Sequence, residues 1–253
     1  MILNLKKDLR KKMKEIQKSY LEKLSCRERH SLAENLCEKV TALDEYKKAD
    51  LILAYIPDKL EADCIPVILD ALEKGKKVAV PKVDFEELKN GRSRMDFYFL
   101  DGKKPLEEQL ETGAFGIREP KAGLQKFGDF KGQSPLGEGV ADKPTKRREL
   151  ALLAGTIREA TRDGSEGETS PFVLVPGVAF TKDGKRLGHG KGFYDIYIEE
   201  MRKGGAEPFL CGTALPCQIV DEIPTDEHDV LMDKTIICIL NKRKSELTPF
   251  RRL

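Results

Sequence analysis

The stretch Leu51-Ile52-Leu53-Ala54-Tyr55-Ile56 is nearly all apolar. A strand with one wet face alternates apolar and polar side chains, whereas an unbroken apolar run belongs to a strand covered on both faces, as in a parallel sheet between helical layers. The run therefore predicts an open, mostly parallel α/β sheet flanked by helices. Phe172-Val173-Leu174-Val175 repeats the pattern, and Lys77 to Pro81, Phe209 to Leu215 and Thr235 to Leu240 are further strand candidates. In Arg94 to Leu100, Met95, Phe97 and Phe99 alternate with Asp96 and Tyr98, the pattern of a half-buried strand.

Amphipathic segments separate these runs. From Leu5 to about Tyr20 the residues Leu5, Leu9, Met13, Ile16 and Tyr20 recur at helical spacing, with lysines on the other faces. Ser25 and Glu28 make a capping box before Leu32, Leu36, Val40 and Leu43, a second helix expected to end near Tyr46. Pro66 suits the first turn of a helix carrying Val67, Ile68, Leu69 and Leu72, and Gly75 suits its C-terminal cap. A further helix is expected from about Phe193 to Lys203. Gly113 to Pro120 reads as a turn-rich loop. Between Lys121 and Ser170 Gly, Ser, Pro and charge dominate, so a single domain over residues 1–253 is expected to carry an insertion at about 121–170, with one possible helix from Arg147 to Arg162.

Composition narrows the function classes. Charged residues are 35% of the chain, yet the net charge is only +2, which offers no strong case for nucleic acid or a membrane surface. The basic clusters Lys6 to Lys18, Lys143 to Arg148 and Lys242 to Arg252 read as solvated faces or tails. The six cysteines form no C-x-x-C pair and several sit in apolar runs, which fits reduced, buried thiols; His30, His189 and His228 are too scattered for a histidine metal cage. With no apolar run near the ~18 residues of a membrane span and no secretory h-region, the chain is expected to be soluble and cytoplasmic.

The segment Arg186-Leu187-Gly188-His189-Gly190-Lys191-Gly192-Phe193-Tyr194-Asp195 carries the chemistry. Its glycines give G-x-G-x-G, neither the G-x-x-x-x-G-K-[ST] of a P-loop nor the G-x-G-x-x-G of a dinucleotide fold. It still offers what a polyphosphate needs: accessible amides, the cations Arg186 and Lys191, and a helix N-terminus close behind. A flexible glycine turn is the bland alternative. Asp195 and Asp229, on or beside loops at strand ends, could hold a magnesium ion bridging phosphate oxygens, or could serve as a dipole partner and a turn former. Lys6 and Arg10 project from one helix face and could clamp an anion together; a solvated face explains them equally well. Glu61, in a loop after a buried strand, could bind a donor-rich heterocycle or be an ordinary surface carboxylate.

Val175-Pro176-Gly177-Val178-Ala179-Phe180 followed by Asp183 to Asp195 resembles the R-x-G-x-G-x-G-[YF]-Y-D segment and lead-in of the 5-formyltetrahydrofolate cyclo-ligase (methenyltetrahydrofolate synthetase) family. Lys6-Lys7-Asp8-Leu9-Arg10, the Asp58 to Glu61 loop, Phe115-Gly116-Ile117-Arg118-Glu119-Pro120, Gln218, Ile223-Pro224 and His228-Asp229 match in order. The resemblance implies a fold of the NagB/RpiA/CoA-transferase group and an ATP- and magnesium-dependent ligase of one-carbon folate metabolism, acting as a monomer on small molecules. It assigns Lys6, Lys7, Asp8, Leu9 and Arg10 to ATP, together with Arg186, Leu187, Gly188, His189, Gly190, Lys191, Gly192, Phe193 and Tyr194. Arg10, Ile56, Glu61 and His189 to Phe193 would meet folate, Asp195 and Asp229 would hold Mg2+, and Arg186, Lys191 and Tyr194 would act on the transferring group. Phe193 stands where many members have a second tyrosine, which removes a hydroxyl and keeps an aromatic surface. Two other readings rest on the same residues: another enzyme on this scaffold, such as a phosphosugar isomerase or CoA-transferase-like protein, and a non-catalytic nucleotide- or RNA-binding protein.

Overall fold

The computed structural model describes residues 2–113, 116–127 and 170–240. Phe115, the possible helix from Arg147 to Arg162 and the basic clusters Lys143 to Arg148 and Lys242 to Arg252 lie outside the described residues. The chain opens with α1 (Ile2–Glu22), α2 (Cys26–Thr41) and the short α3 (Asp44–Lys48), then enters the sheet at β1 (Leu51–Leu53). After it come α4 (Ile65–Glu73), β2 (Lys77–Val83), α5 (Phe85–Lys89) and β3 (Met95–Phe99). The short α6 (Leu106–Gln109) leads into β4 (Leu110–Thr112) and β5 (Arg118–Pro120). The second half contributes β6 (Phe172–Val175), β7 (Ala179–Phe180), β8 (Arg186–Leu187), α7 (Phe193–Lys203), β9 (Phe209–Ala214), a 3-10 turn (Pro216–Gln218) and β10 (Lys234–Ile237).

Six strands form the main sheet in the order β10-β9-β6-β1-β2-β3. The pairs β10–β9, β9–β6, β6–β1 and β1–β2 are parallel, and β3 adds an antiparallel edge on β2. The apolar runs do what their composition predicts. Phe172 and Leu174 of β6 pack into one core with Leu36, Val40 and Ile68 of α2 and α4, while Val173 and Val175 pack on the other face with Ile198 and Met201 of α7. Ile52 and its neighbours Leu51 and Leu53 divide in the same way. No helix among the described residues is long and apolar enough to cross a membrane.

The caps are local and came out as expected. The Ser25 hydroxyl accepts the Glu28 N–H (3.2 Å), and Glu28 accepts the Ser25 N–H (2.8 Å). Past α4, Gly75 takes φ 74° and donates to Leu72 O, while Lys76 donates to Ala71 O (2.9 Å), a Schellman ending. The second helix stops at Thr41 rather than near Tyr46, and Asp44–Lys48 forms a separate turn.

Three expectations change. In α1 the buried line is Lys6, Met13, Gln17 and Leu21, whereas Leu5 and Ile16 are 50% and 37% exposed. Much of the helix covers a polar opening: Gln17 Nε2 donates to Leu60 O (3.1 Å), Met13 joins Val178, Leu187 and Ile223 in a small cluster with Leu9 against it, and only the end of the helix, at Leu21, reaches the main core. The turn-rich loop Gly113 to Pro120 contains β5, paired antiparallel with β4 through Leu110↔Pro120 and Thr112↔Arg118. Residues 121–127, which composition placed in the insertion, are tied to the sheet edge. Phe127 N donates to Phe97 O (2.8 Å) and its ring is buried against Phe99.

Candidate active site

From β1 the chain moves to β2 on one side; from β6 it moves through β9 to β10 on the other. The loops leaving β1 and β6 therefore diverge, and an open α/β sheet binds ligands at such a point, beyond the carboxyl ends of its strands. A cavity of about 820 Å³ lies there. Tyr55, Ile56, Asp58 and Glu61 line it after β1 and Pro176 after β6, with Lys6, Arg10 and Lys14 of α1 and His228 and Asp229 of the loop before β10. Pro81, Val83 and Met95 of β2 and β3 and Ile117 before β5 add an apolar wing, with the charged Arg118 and Glu119 of β5 beside it.

The glycine segment crosses the mouth between β8 and α7. Arg10 Nε donates to Gly188 O (2.7 Å). At Gly190, φ is 97° and an added Cβ would lie 3.2 Å from Arg10 Cζ, so this close passage of backbone over guanidinium needs a residue without a side chain. Arg186, 7% exposed, points back beneath the loop: Nη2 donates to Asp195 Oδ1 (2.8 Å), Nη1 to Pro176 O (3.2 Å), and Cζ lies 5.9 Å from the Tyr194 ring centre. Its Nε and the Tyr194 hydroxyl are buried without hydrogen-bond partners among the described residues. Lys191 is exposed at the rim.

Lys6 is the other buried cation. Its ammonium lies 2.7 Å from Asp226 Oδ2 and 2.6 Å from Asp229 Oδ2, and Asp226 N also donates to Asp229 Oδ2 (2.7 Å). Burial alone pulls the Lys6 ammonium down, but the two carboxylates carry it above its ordinary pKa. Lys6 and the His228 N–H hold Asp226 below the usual carboxylate value. Burial lowers the Arg10 guanidinium from its ordinary value.

Asp195 and Asp229, far apart in sequence, become neighbours, because Val230 N donates to Asp195 Oδ1 (3.3 Å). Each has one oxygen engaged by a cation and a second without a hydrogen bond among the described residues. No group of three metal-ligating side chains occurs among the described residues. Two carboxylates with one open oxygen each suit a Mg2+ ion that keeps several waters and takes its remaining ligands from phosphate oxygens.

Glu61 is held from both sides: Oε2 accepts the Asp58 N–H (3.0 Å) and Oε1 lies 3.0 Å from His189 Nε2. The Tyr55 hydroxyl fixes the root of this loop by donating to Ala62 O (2.6 Å) within reach of Thr213 Oγ1 (2.7 Å). At the floor, Gln218 Nε2 donates to Gly177 O (2.5 Å) and so ties the turn after β9 to the end of β6.

The fold thus gathers Lys6, Arg10, Ile56, Glu61, Arg186 through Asp195, and Asp229 around one cavity. Three expected residues stand apart: Lys7 and Asp8 are exposed, Leu9 packs beside Val178 and Leu187, and none of the three lines the cavity. On a helix seen end-on, Lys6 and Arg10 share a face that Lys7 to Leu9 turn away from. Sequence reasoning missed Lys14, Met95, Glu119 and Asp226. Lys14 continues the Lys6–Arg10 spacing and was legible; Asp226 meets Lys6 only through the fold, 220 residues away in sequence.

The sequence model described as the 5-formyltetrahydrofolate cyclo-ligase family matches residues 3–131 and 143–238, leaving 132–142 as the unmatched internal stretch. The 5-formyltetrahydrofolate cyclo-ligase of Mus musculus is 27% identical over 220 residues, 87% of this chain and 88% of that one. The enzyme of that name from Mycolicibacterium smegmatis is 37% identical over 182 residues, 72% of this chain and 70% of that one. Among solved structures, the Aquifex aeolicus 5,10-methenyltetrahydrofolate synthetase aligns with a TM-score of 0.58 at 28% identity, covering 92% of this chain and 89% of that one. The match spans α1, the loop after β1, β5, the glycine segment and the Asp229 loop, every part of the cavity wall, and the chain belongs to the 5-formyltetrahydrofolate cyclo-ligase family.

Proposed function

We propose that the protein closes 5-formyltetrahydrofolate to 5,10-methenyltetrahydrofolate at the expense of ATP. The observation that carries this reading is one cavity with two unlike kinds of lining: the cations Arg10 and Arg186 with the glycine backbone beside Asp195 and Asp229, and the apolar Pro81, Val83, Met95 and Ile117 together with Glu61. A polyphosphate suits the first and a pterin with its benzoyl arm suits the second. Phosphoryl transfer is mainly positioning and charge stabilisation, so the cationic lining supplies most of what the chemistry asks of a protein.

In this reading the formyl oxygen attacks the γ-phosphorus of ATP, giving an iminium phosphate and ADP. N10 then bonds to the activated carbon, loses its proton, and phosphate departs. Arg186 and Lys191 stabilise charge on the transferring group, and Arg10 and the Gly188 to Gly192 amides orient the phosphate chain. Asp195 and Asp229 are the residues that would hold Mg2+, which when bound neutralises phosphate charge. Glu61 accepts hydrogen bonds from pterin N–H groups.

The purified protein with ATP, Mg2+ and 5-formyltetrahydrofolate is expected to form methenyl product and ADP in equal amounts; formation of neither, while a control enzyme forms both, refutes the proposal. Lys191→Ala removes an exposed rim cation, so the ATP KM should rise by about tenfold while the melting temperature stays put. If the ATP KM does not move, Lys191 plays no part in binding. Glu61→Gln keeps the shape of the side chain and loses its charge. The folate KM should then rise about 10- to 100-fold, with the ATP KM little changed; the reverse pattern would place Glu61 on the ATP side.

A further inference from the structure

Asp226 stands behind the cavity wall rather than in it. Lys6 lines the cavity and Asp226 does not. Both carboxylate oxygens of Asp226 are engaged, Oδ2 by the Lys6 ammonium (2.7 Å) and Oδ1 by the His228 N–H (3.1 Å). Its backbone holds the neighbouring carboxylate as well: Asp226 N donates to Asp229 Oδ2 (2.7 Å), and Asp226 O accepts the Asp229 N–H (3.2 Å). One ammonium, 6% exposed in its side chain, is therefore shared between two carboxylates that belong to a single turn.

The second carboxylate settles the local charge balance. At this end of the cavity Lys6, Arg10 and Arg186 meet Asp195, Asp226 and Asp229. Arg186 pairs with Asp195 (2.8 Å), Lys6 pairs with Asp226 and Asp229, and Arg10 lies within electrostatic reach of Asp229, Asp195 and Arg186. Lys14, Lys191, Glu199 and His228 also line the cavity but are exposed, so water and salt screen them. The inner charges cancel. Without Asp226 the group would carry a positive charge in excess, and Lys6 and Asp229 would form a neutral pair. Such a surface attracts a bare polyphosphate and repels a divalent cation.

Resting on the functional reading above, we propose that Asp226 is a positioning residue that makes the site select Mg2+-complexed ATP over the bare nucleotide. It acts through Lys6. By sharing the ammonium it keeps Lys6 from serving as a ready-made phosphate clamp, and it leaves Asp229 with its charge and an open oxygen for the metal. A bare triphosphate then meets a balanced site, with little attraction beyond the glycine amides and Arg10. Mg2+ held at Asp195 and Asp229 supplies the rest.

Binding rather than turnover tests this. A non-hydrolysable ATP analogue is titrated calorimetrically into the protein in excess Mg2+ and in EDTA, and the readout is the ratio of the two dissociation constants, EDTA over Mg2+. Asp226→Asn keeps the shape of the side chain; it should weaken the Mg2+ complex and tighten the bare analogue, so that the ratio falls by about tenfold. Asp226→Ser removes the same charge with a different turn former and should give the same fall, while Asp226→Glu should keep most of the ratio. On a Lys6→Met background, Asp226→Asn should move the ratio by about twofold or less. An unchanged ratio, or a parallel weakening of both forms, overturns the assignment and leaves Asp226 a structural residue of its turn. An equal fall on the Lys6→Met background also overturns it, because Asp226 would then act by its own field and not through Lys6. If the unaltered protein binds the analogue in neither condition, the functional reading fails and this assignment falls with it.

Discussion

Arg186→Met is expected to lower both stability and turnover more than any other single change at the site. The guanidinium is 5% exposed in its side chain and bridges Asp195 and the Pro176 carbonyl, so its removal leaves the carboxylate of Asp195 without its cation. Breaking a buried pair in this way costs about 3–5 kcal/mol; with Asp195 itself 22% exposed and able to rehydrate, about 2–4 kcal/mol is expected in thermal or denaturant unfolding. Loss of one preorganised donor to a charged transition state lowers kcat by about 10²–10³-fold. Arg186→Lys separates the effects. It keeps a charge but cannot span both acceptors as a planar fork does, so it should recover more stability than turnover. Asp195→Asn removes the uncompensated charge, and Arg186→Met on that background should cost less stability than alone. Additive losses would show that the two side chains do not act as a pair, and wild-type melting and kcat in Arg186→Met would remove Arg186 from the site.

Lys6→Met should have the second-largest effect, with a pH signature. Without the ammonium, Asp226 Oδ2 and Asp229 Oδ2 repel each other, and the loop before β10 loses its tie to α1. The cost near neutral pH should be about 1–2 kcal/mol, at the low end for such a pair because Asp226 is 36% exposed. The ATP KM should rise about tenfold, because Asp229 and the face of Arg10 shift together. Lys6 has a raised pKa in the folded state, so its contribution is full below the ordinary lysine value and is lost as pH climbs through the folded one. Asp226 has a lowered pKa, so its contribution is present above the ordinary aspartate value of 3.8 and is lost as pH falls through the folded one. The melting difference between unaltered protein and Lys6→Met should therefore be constant across the neutral range and shrink below about pH 4. A difference that persists unchanged into strong acid would mean that Lys6 stabilises through packing of its aliphatic stem alone.

How much of this was legible beforehand depends on the range of the interaction. The strand cores at β1 and β6, the Ser25 capping box and the Gly75 ending rest on residues within a few positions of each other, and local pattern read them correctly. The short β4 and β5 strands were not legible, since three residues a side carry no measurable period and exist only through each other. The same holds for α5, a five-residue helix capped by Asp84, whose side chain accepts from the Glu86 and Glu87 N–H groups.

By itself the sequence determined the mostly parallel sheet, the helices that cover it, and a glycine segment whose backbone is left accessible, because burial on both faces and missing side chains are written residue by residue. Tertiary structure alone decided which face of α1 is buried, that Lys6 meets Asp226 and Asp229 more than two hundred residues away, that Lys7 to Leu9 face away from the cavity, and that Glu119 packs on Gly113. The reason is physical: a helix presents several faces of similar polarity, and the one that is buried is chosen by what the rest of the chain sets against it. Here that partner is a polar opening at the point where β1 and β6 part, so a lysine and a glutamine are buried where periodicity expected leucine and isoleucine.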